Sequence, residues 1–322
     1  MKIYVTREIP DIGIKKLNDF CDNLQVNRKN KNLEYKELHE EAADADAILS
    51  MLADNVDAEF LNSCDKLKVV ANYAVGYNNI DIATATKNNI VVTNTPDVLT
   101  DTTADLAWAL IMTMTRRIVE SDSFTRQGRF KGWAPELLCG SDVYGKTLGI
   151  IGAGRIGQAT AKRADGFDMN LLYYNRSAKK EFESKTGAKR VDLEELLKKT
   201  DIISLHVPLT DDTRYLIDEP ELKMMKKNSY LINTARGPVV NETALAKALK
   251  NGQIAGAALD VFENEPEVHP ELIDLKNVVL TPHIGSATQK TRNKMAEMAA
   301  ESIIAVLSGE KPENIVNPEV YD

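Results

Sequence analysis

The chain has 322 residues, 43% hydrophobic and 27% charged, enough for two globular domains with separate cores. A net charge of −8 argues against a nucleic-acid-binding face, and no apolar run approaches the roughly 18 residues of a membrane span. Cys21, Cys64 and Cys139 are widely spaced, odd in number and without a Cys-x-x-Cys pair, which predicts reduced thiols in a cytoplasmic protein and no metal site.

In chain order, short apolar runs alternate with helical patterns. Strands are predicted at 3–5, 24–26, 47–51, 67–74 and 90–93, separated by helices near 14–20, 35–43, 58–63 and 82–87. Such alternation is the signature of a parallel sheet with helices on both faces. A long helical segment is predicted over 100–128, with Ala107, Leu110, Ile111, Met114 and Ile118 on one face at helical spacing. A loop over 130–143 contains Trp133 and Pro135. Beyond it lie predicted strands at 148–151, 170–174, 201–205, 230–232, 255–259 and 278–280, with helices near 180–185, 193–199, 219–225 and 242–249 between them. The last amphipathic helix places Met295, Met298, Ala299, Ser302, Ile303 and Val306 on one face and is expected to cross back to the first domain.

The apolar run 148–151 enters Gly152-x-Gly154-x-x-Gly157, and helix-forming residues follow. Strand, glycine turn and helix in succession form a dinucleotide-binding fingerprint. Gly152 permits the tight turn, Gly154 lets the backbone approach a pyrophosphate and Gly157 lets helix and strand pack closely. Arg155 and Ile156 then lie at the helix N-terminus, where unpaired N–H groups favour phosphate. An NAD site usually has a carboxylate after the second strand, to bind the ribose hydroxyls. Here Asn175, Arg176 and Ser177 stand instead, followed by Lys179 and Lys180. A guanidinium and a hydroxyl suit a 2′-phosphate, so NADPH is expected in preference to NADH; the alternative is a solvated basic loop.

Ligands in open parallel sheets sit at the carboxyl ends of the strands. Four motifs fall there: His206-Val207-Pro208-Leu209-Thr210, Asn233-Thr234-Ala235-Arg236-Gly237, Asp260-Val261-Phe262-Glu263-Asn264-Glu265-Pro266, and Thr281-Pro282-His283-Ile284-Gly285-Ser286. Arg236 offers a planar fork that matches a carboxylate bidentately. His283 can act as general acid, and Glu265 can hydrogen-bond the ring and fix its orientation. Taken singly, each has a plain reading: a surface ion pair for Arg236, a solvated loop for Glu265, a core histidine for His283. His206 is open between an adenosine contact and a satisfied strand-end residue.

With the upstream fingerprint, these motifs resemble the D-isomer-specific 2-hydroxyacid dehydrogenase family over essentially the whole chain. The run Ala74-Val75-Gly76-Tyr77-Asn78-Asn79-Ile80-Asp81 agrees too, although the family more often has Asp at the place of Asn78. The stretches Thr95-Pro96-Asp97-Val98-Leu99-Thr100 and Asp142-Val143-Tyr144-Gly145-Lys146-Thr147 look like the glyoxylate/hydroxypyruvate reductase branch. The resemblance implies two doubly wound parallel-sheet α/β domains with a cleft between them. Residues 1–99 plus 288–322 would form a discontinuous substrate-binding domain, and 100–287 the dinucleotide-binding domain. It also implies Arg236, Glu265 and His283 as catalytic residues. Val207, Pro208 and Thr213 would border the adenosine. Thr103, Thr234, Ala235, Asp260 and Gly285 would surround the nicotinamide, with Asp260 orienting its amide. Leu52 would line the substrate pocket, and the Val75 and Gly76 N–H groups would meet the substrate carboxylate.

The implied reaction is NAD(P)H-dependent reduction of a small 2-oxo acid to the D-2-hydroxy acid, with glyoxylate or hydroxypyruvate as substrate and a homodimer as the working form. In such a dimer Trp133 would reach the partner's active site. Alternatives within the family are a 2-ketogluconate, a branched 2-oxo acid or phosphohydroxypyruvate. A dinucleotide-sensing co-repressor of the same fold is a further alternative, but it would have no need of a proton donor beside Arg236 and Glu265.

Overall fold

The computed structural model describes residues 1–29 and 31–322, which gather into two compact units: Met1–Leu99 with Ser286–Asp322, and Thr100–Gly285. In the first unit, β1 (Ile3–Val5), β2 (Leu24–Val26), β3 (Ala47–Ser50), β4 (Val69–Asn72) and β5 (Val91–Thr93) form one sheet in the order β2-β1-β3-β4-β5. Every pairing is parallel. The runs of β1, β3, β4 and β5 are buried throughout, as expected where helices cover both faces.

Helix Gln289–Leu307 belongs to this unit. Thr288 caps it, its side-chain oxygen accepting from the Thr291 N–H at 3.3 Å, and Met295, Ala299, Ser302 and Ile303 are buried. It packs on β3, β4 and β5 and on helix Asp11–Phe20. Gly13 makes that helix crossing close, since a Cβ there would lie 2.8 Å from the Ala296 carbonyl oxygen. The chain then runs along the free edge of β5. Asn317 Oδ1 accepts from the Val92 N–H at 2.8 Å, while its Nδ2 donates to Ile90 O at 2.9 Å and Thr86 Oγ1 at 3.1 Å. An edge strand that would otherwise present unpaired groups is thereby covered.

The second unit holds β6 (Thr147–Ile151), β7 (Asn170–Tyr174), β8 (Lys189–Arg190), β9 (Ile202–Leu205), β10 (Tyr230–Asn233), β11 (Gly256–Leu259) and β12 (Val278–Leu280). Their order is β12-β11-β10-β9-β6-β7-β8, all parallel. The chain leaves β6 toward β7 and β8, then returns to continue on its other side at β9. The reversal between β6 and β9 is the switch point at which a crevice opens beyond the strand ends. Register pairs Ile151 with Leu205, so Gly152 and His206 emerge side by side.

The helix predicted over 100–128 is two helices, Thr100–Thr115 and Ile118–Arg126. Arg117 sits between them with φ 54°, its guanidinium held by Glu120 at 2.8 and 2.9 Å and by the Cys139 carbonyl at 3.2 Å. The Ser141 N–H takes the Thr115 carbonyl at 2.8 Å, in place of a helical bond. The expected face is buried through Ala107, Leu110, Ile111 and Met114, but Ile118, past the break, is exposed. Trp108 Nε1 donates to the Thr160 carbonyl at 2.8 Å, fastening the first of these helices to the helix after the fingerprint.

Candidate active site

The fingerprint glycines divide into two kinds. A Cβ on Gly157 would lie 2.1 Å from the Gly152 carbonyl oxygen, and one on Gly152, at φ 97°, would lie 2.7 Å from the His206 backbone. Both glycines let protein pack on protein. Gly154 differs: a Cβ there meets no heavy atom within 4 Å. It is the N-cap of helix Arg155–Arg163 and supplies no side-chain cap, and a helix N-terminus of this kind favours an anion.

At the end of β7, Asn175 is engaged inside the protein. Its Oδ1 accepts from the Ala153 N–H at 3.2 Å and its Nδ2 donates to the Ser177 carbonyl at 2.9 Å, tying the ribose-side loop to the glycine turn. Arg190, which the sequence did not single out, donates to the Asn175 and Arg176 carbonyls at 3.1 and 2.9 Å. The Arg176 and Ser177 side chains are exposed.

At the end of β9 the His206 ring faces Ser204 Oγ at 2.9 Å, and burial pulls its pKa down to about 3. The ring is thus bonded to its own strand. Thr213 Oγ1 donates to the Pro208 carbonyl at 2.6 Å and accepts from the Thr210 N–H at 2.8 Å, so it closes its own loop. Val207 packs against the core, and Pro208 is exposed on the same loop.

The strongest cluster lies at the ends of β10, β11 and β12. His283 Nδ1 is 2.8 Å from Glu265 Oε2. Glu265 Oε1 accepts from the Phe262 N–H at 3.1 Å. Burial pushes the Glu265 carboxyl up, but the His283 hydrogen bond and charge, the Phe262 N–H and the Arg236 charge outweigh it and hold the carboxyl below its ordinary value. Burial lowers the pKa of Arg236, and the Glu265 charge partly offsets that. Arg236 Nη1 donates to the Ala235 carbonyl at 2.7 Å. Asn233 shapes this turn, accepting from the Ala235 N–H at 3.0 Å and donating to the Arg236 carbonyl at 2.9 Å. A Cβ on Gly237 would fall 1.9 Å from Phe262 backbone atoms, so the Arg236 and Glu265 loops touch backbone to backbone.

Asp260 is engaged by the chain itself. Its Oδ1 accepts from Thr281 Oγ1 at 2.6 Å and the Ile284 N–H at 2.8 Å, and its Oδ2 from the Gly285 N–H at 2.8 Å. These three donors leave room for a fourth on the carboxylate, whose two oxygens offer about four acceptor sites. The carboxylate brackets His283, which stands at φ 53°, a left-handed conformation that is uncommon outside glycine. Thr103 closes this corner, 3.4 Å from the position of a Cβ on Gly285. Thr234 is buried and its Oγ1 has no hydrogen-bond partner among the described residues.

In the first unit, Val75 and Gly76 follow β4. Their carbonyls accept from Asn94 Nδ2 at 2.8 Å and Asn72 Nδ2 at 2.7 Å. Leu52 lies in a turn after β3 that Asp54 and Asn79 pin. Asp54 Oδ2 accepts from the Met51 N–H at 2.6 Å, and Asn79 Nδ2 donates to the Met51 and Asp54 carbonyls, both at 3.1 Å.

Residues 108–285 match the family model described as the NAD binding domain of D-isomer specific 2-hydroxyacid dehydrogenases. A glyoxylate reductase of Thermococcus litoralis is 54% identical over 99% of this chain and 97% of its own. The chain belongs to the D-isomer-specific 2-hydroxyacid dehydrogenase family. A solved Thermus thermophilus protein aligns with TM-score 0.91 and 42% identity, covering 98% of this chain and all of that one. The NADPH-dependent glyoxylate/hydroxypyruvate reductase of Sinorhizobium meliloti, solved with NADP and malonate, aligns at TM-score 0.87 and 32% identity over 99% and 97% of the two chains.

As a 2-hydroxyacid dehydrogenase the protein is an NAD(P)-dependent oxidoreductase of small 2-oxo and 2-hydroxy acids, and its second unit fits a nicotinamide dinucleotide. The open space at Gly154 leaves room for ligand atoms beside the helix N-terminus. Among the described residues no helix is long and apolar enough to cross a membrane, and no group of three or more His, Cys, Asp or Glu could hold a metal ion. Sequence reasoning missed Asn233, Arg190 and the bracketing role of Asp260. An Asn-x-x-Arg-Gly run at a strand end was the only available signal, and it pointed to Arg236 alone.

Proposed function

We propose that this dehydrogenase reduces glyoxylate, and hydroxypyruvate with it, to the corresponding D-2-hydroxy acid where the product is chiral, using NADPH in preference to NADH. The observation that carries the reading is the Glu265–His283 pair at 2.8 Å, with the Arg236 charge acting on the same carboxylate. With Glu265 ionised, Nδ1–H donates to it, which leaves Nε2 to carry the transferable proton. Arg236 grips the substrate carboxylate through its planar fork. A bound reduced nicotinamide supplies the hydride to the carbonyl carbon. His283 Nε2 gives its proton to the carbonyl oxygen, so no free alkoxide accumulates, and Glu265 stabilises the ring while it is charged.

The NADPH preference rests on the ribose-side loop. No carboxylate stands at 175–177 to repel a 2′-phosphate, and the exposed Arg176 is available to pair with one. A homodimer is supported by the exposed apolar side chains Ile118, Val119, Phe130 and Trp133 within one short stretch, the last 84% exposed. The three free cysteines accord with a reducing cytoplasm.

Loss of absorbance at the reduced-nicotinamide band tests the substrate and the cofactor preference. NADPH and NADH are each offered glyoxylate, hydroxypyruvate, 2-ketogluconate and pyruvate. Fastest turnover is expected with NADPH and glyoxylate or hydroxypyruvate. Faster turnover with NADH would overturn the cofactor preference alone, and preference for 2-ketogluconate or pyruvate would overturn the substrate.

A further inference from the structure

One buried acid has no part in that chemistry. Glu242, the first residue of helix Glu242–Lys250, is only 4% exposed. Its Oε1 accepts from the Glu263 N–H at 2.9 Å, and Glu263 Oε1 accepts in return from the Glu242 N–H at 2.6 Å. The second oxygen of Glu263 accepts from the Tyr215 hydroxyl at 2.9 Å. The charged groups facing Glu242 are Glu263 and His269. Burial pushes its carboxyl up and the Glu263 charge adds to that, against hydrogen bonds from the Glu263 and His269 backbones and the charge of His269. Burying a carboxylate beside a second one is unfavourable unless hydrogen bonds compensate it, and here they are the reciprocal pair.

What they fix is the segment that carries Glu265. Residues 264–267 are exposed and close a tight turn, the Glu267 N–H donating to the Asn264 carbonyl at 2.9 Å. The segment is anchored behind them, at Phe262, which lies backbone to backbone on Gly237, and at Glu263 through the reciprocal bonds with Glu242. Glu265 is two residues further on, its Oε1 on the Phe262 N–H, and the charged groups facing it are His283 and Arg236.

We infer that the reciprocal Glu242–Glu263 clasp is the positioning device that sets Glu265 against His283, and that Glu242 thereby governs proton delivery without touching substrate. This rests on the reading of His283 as proton donor. A displacement of about 1 Å at a reacting group can cost on the order of a hundredfold in rate. A purely structural reading, in which Glu263 only stabilises a helix N-terminus, predicts a change in melting temperature and nothing else.

The test uses the full chain, with NADPH and glyoxylate. Glu242→Ala is expected to lower kcat by about ten- to a hundredfold. NADPH affinity, read by its fluorescence, should be unchanged, and the pH profile of kcat should match that of Glu265→Gln. Glu242→Gln keeps the side-chain oxygen that accepts from Glu263 and should restore most of kcat. Glu263→Ala removes the other half of the clasp from a half-buried position and should reproduce the loss even if Glu242→Ala does not fold. A lower melting temperature with wild-type kcat and pH profile in both alanine variants would overturn the proposal, as would Glu242→Gln being as damaged as Glu242→Ala. His283→Ala separates the two levels. If that variant is inactive while both clasp variants are normal, only the clasp falls; if it turns over normally, the proton-donor reading falls and the clasp with it.

Discussion

The two ends of the proposed site are built on opposite principles. Around Gly152, Gly154 and Gly157 the protein offers backbone and empty space: one glycine faces nothing, and a helix end is left uncapped. Around His283 almost every polar atom is already engaged, with Glu265 on the ring, three donors on Asp260 and Asn233 spanning the Arg236 turn. A phosphate end needs donors that are free until the ligand arrives, whereas a proton donor must be held in one orientation through every turnover. Sites of the first kind tolerate little added volume, and those of the second tolerate little loss of a bond.

The largest test of that contrast is His283→Ala. It should lower kcat by about 10²- to 10⁴-fold while NADPH binding, followed by fluorescence, stays near wild type. Comparable loss of cofactor binding would show that the two ends are not separable. Next come the glycines. Gly157→Ala forces a Cβ to 2.1 Å from a carbonyl oxygen, and should cost about 1–3 kcal/mol in thermal or denaturant unfolding as well as weakening cofactor binding. Gly154→Ala meets no protein atom, so its melting temperature should match wild type while NADPH affinity falls. Equal destabilisation by both would erase the distinction between packing and ligand glycines.

A smaller effect is expected from Arg176→Ala. The NADPH Michaelis constant should rise by about tenfold, the worth of one charge-assisted contact, with that for NADH little altered. Equal effects on both cofactors would remove the 2′-phosphate from the argument. Smallest is a pH effect. The Glu265 carboxyl is held below its ordinary value, so its contribution to stability is present above its unfolded pKa, near ~4.3, and is lost as pH falls through the folded value. Denaturant unfolding of the wild type should therefore weaken over that acid window, more steeply than that of Glu265→Gln. Parallel curves would mean that the pairing adds nothing to stability.

The contrast also explains what could be read from the sequence. Strand–helix alternation gave away both sheets because buried parallel strands are short, uniformly apolar runs. The two-residue β8 and the break at Arg117 carry no such mark. The break is imposed by Glu120 and by the Cys139–Ser141 segment, more than twenty residues beyond Arg117, with no glycine or proline to announce it. The glycine end was legible because space is encoded by residue type. At the proposed catalytic end the cluster of Arg236, Glu265 and His283 was legible as residue types, but who holds whom was not. Asp260 has the right chemistry for an amide, yet its partners lie more than twenty residues away on the β12 loop, and only the fold brings them to it.

The Asn317 bonds along β5 set a schedule for synthesis. Residues 100–285 are contiguous, so the second unit can fold as soon as it leaves the ribosome. The first ninety-nine residues emerge earlier but wait for helix Gln289–Leu307 and for Asn317 to cover the edge of their sheet. The part of the protein made first is therefore completed last, and until then the edge of β5 stays open to any other extended chain that reaches it.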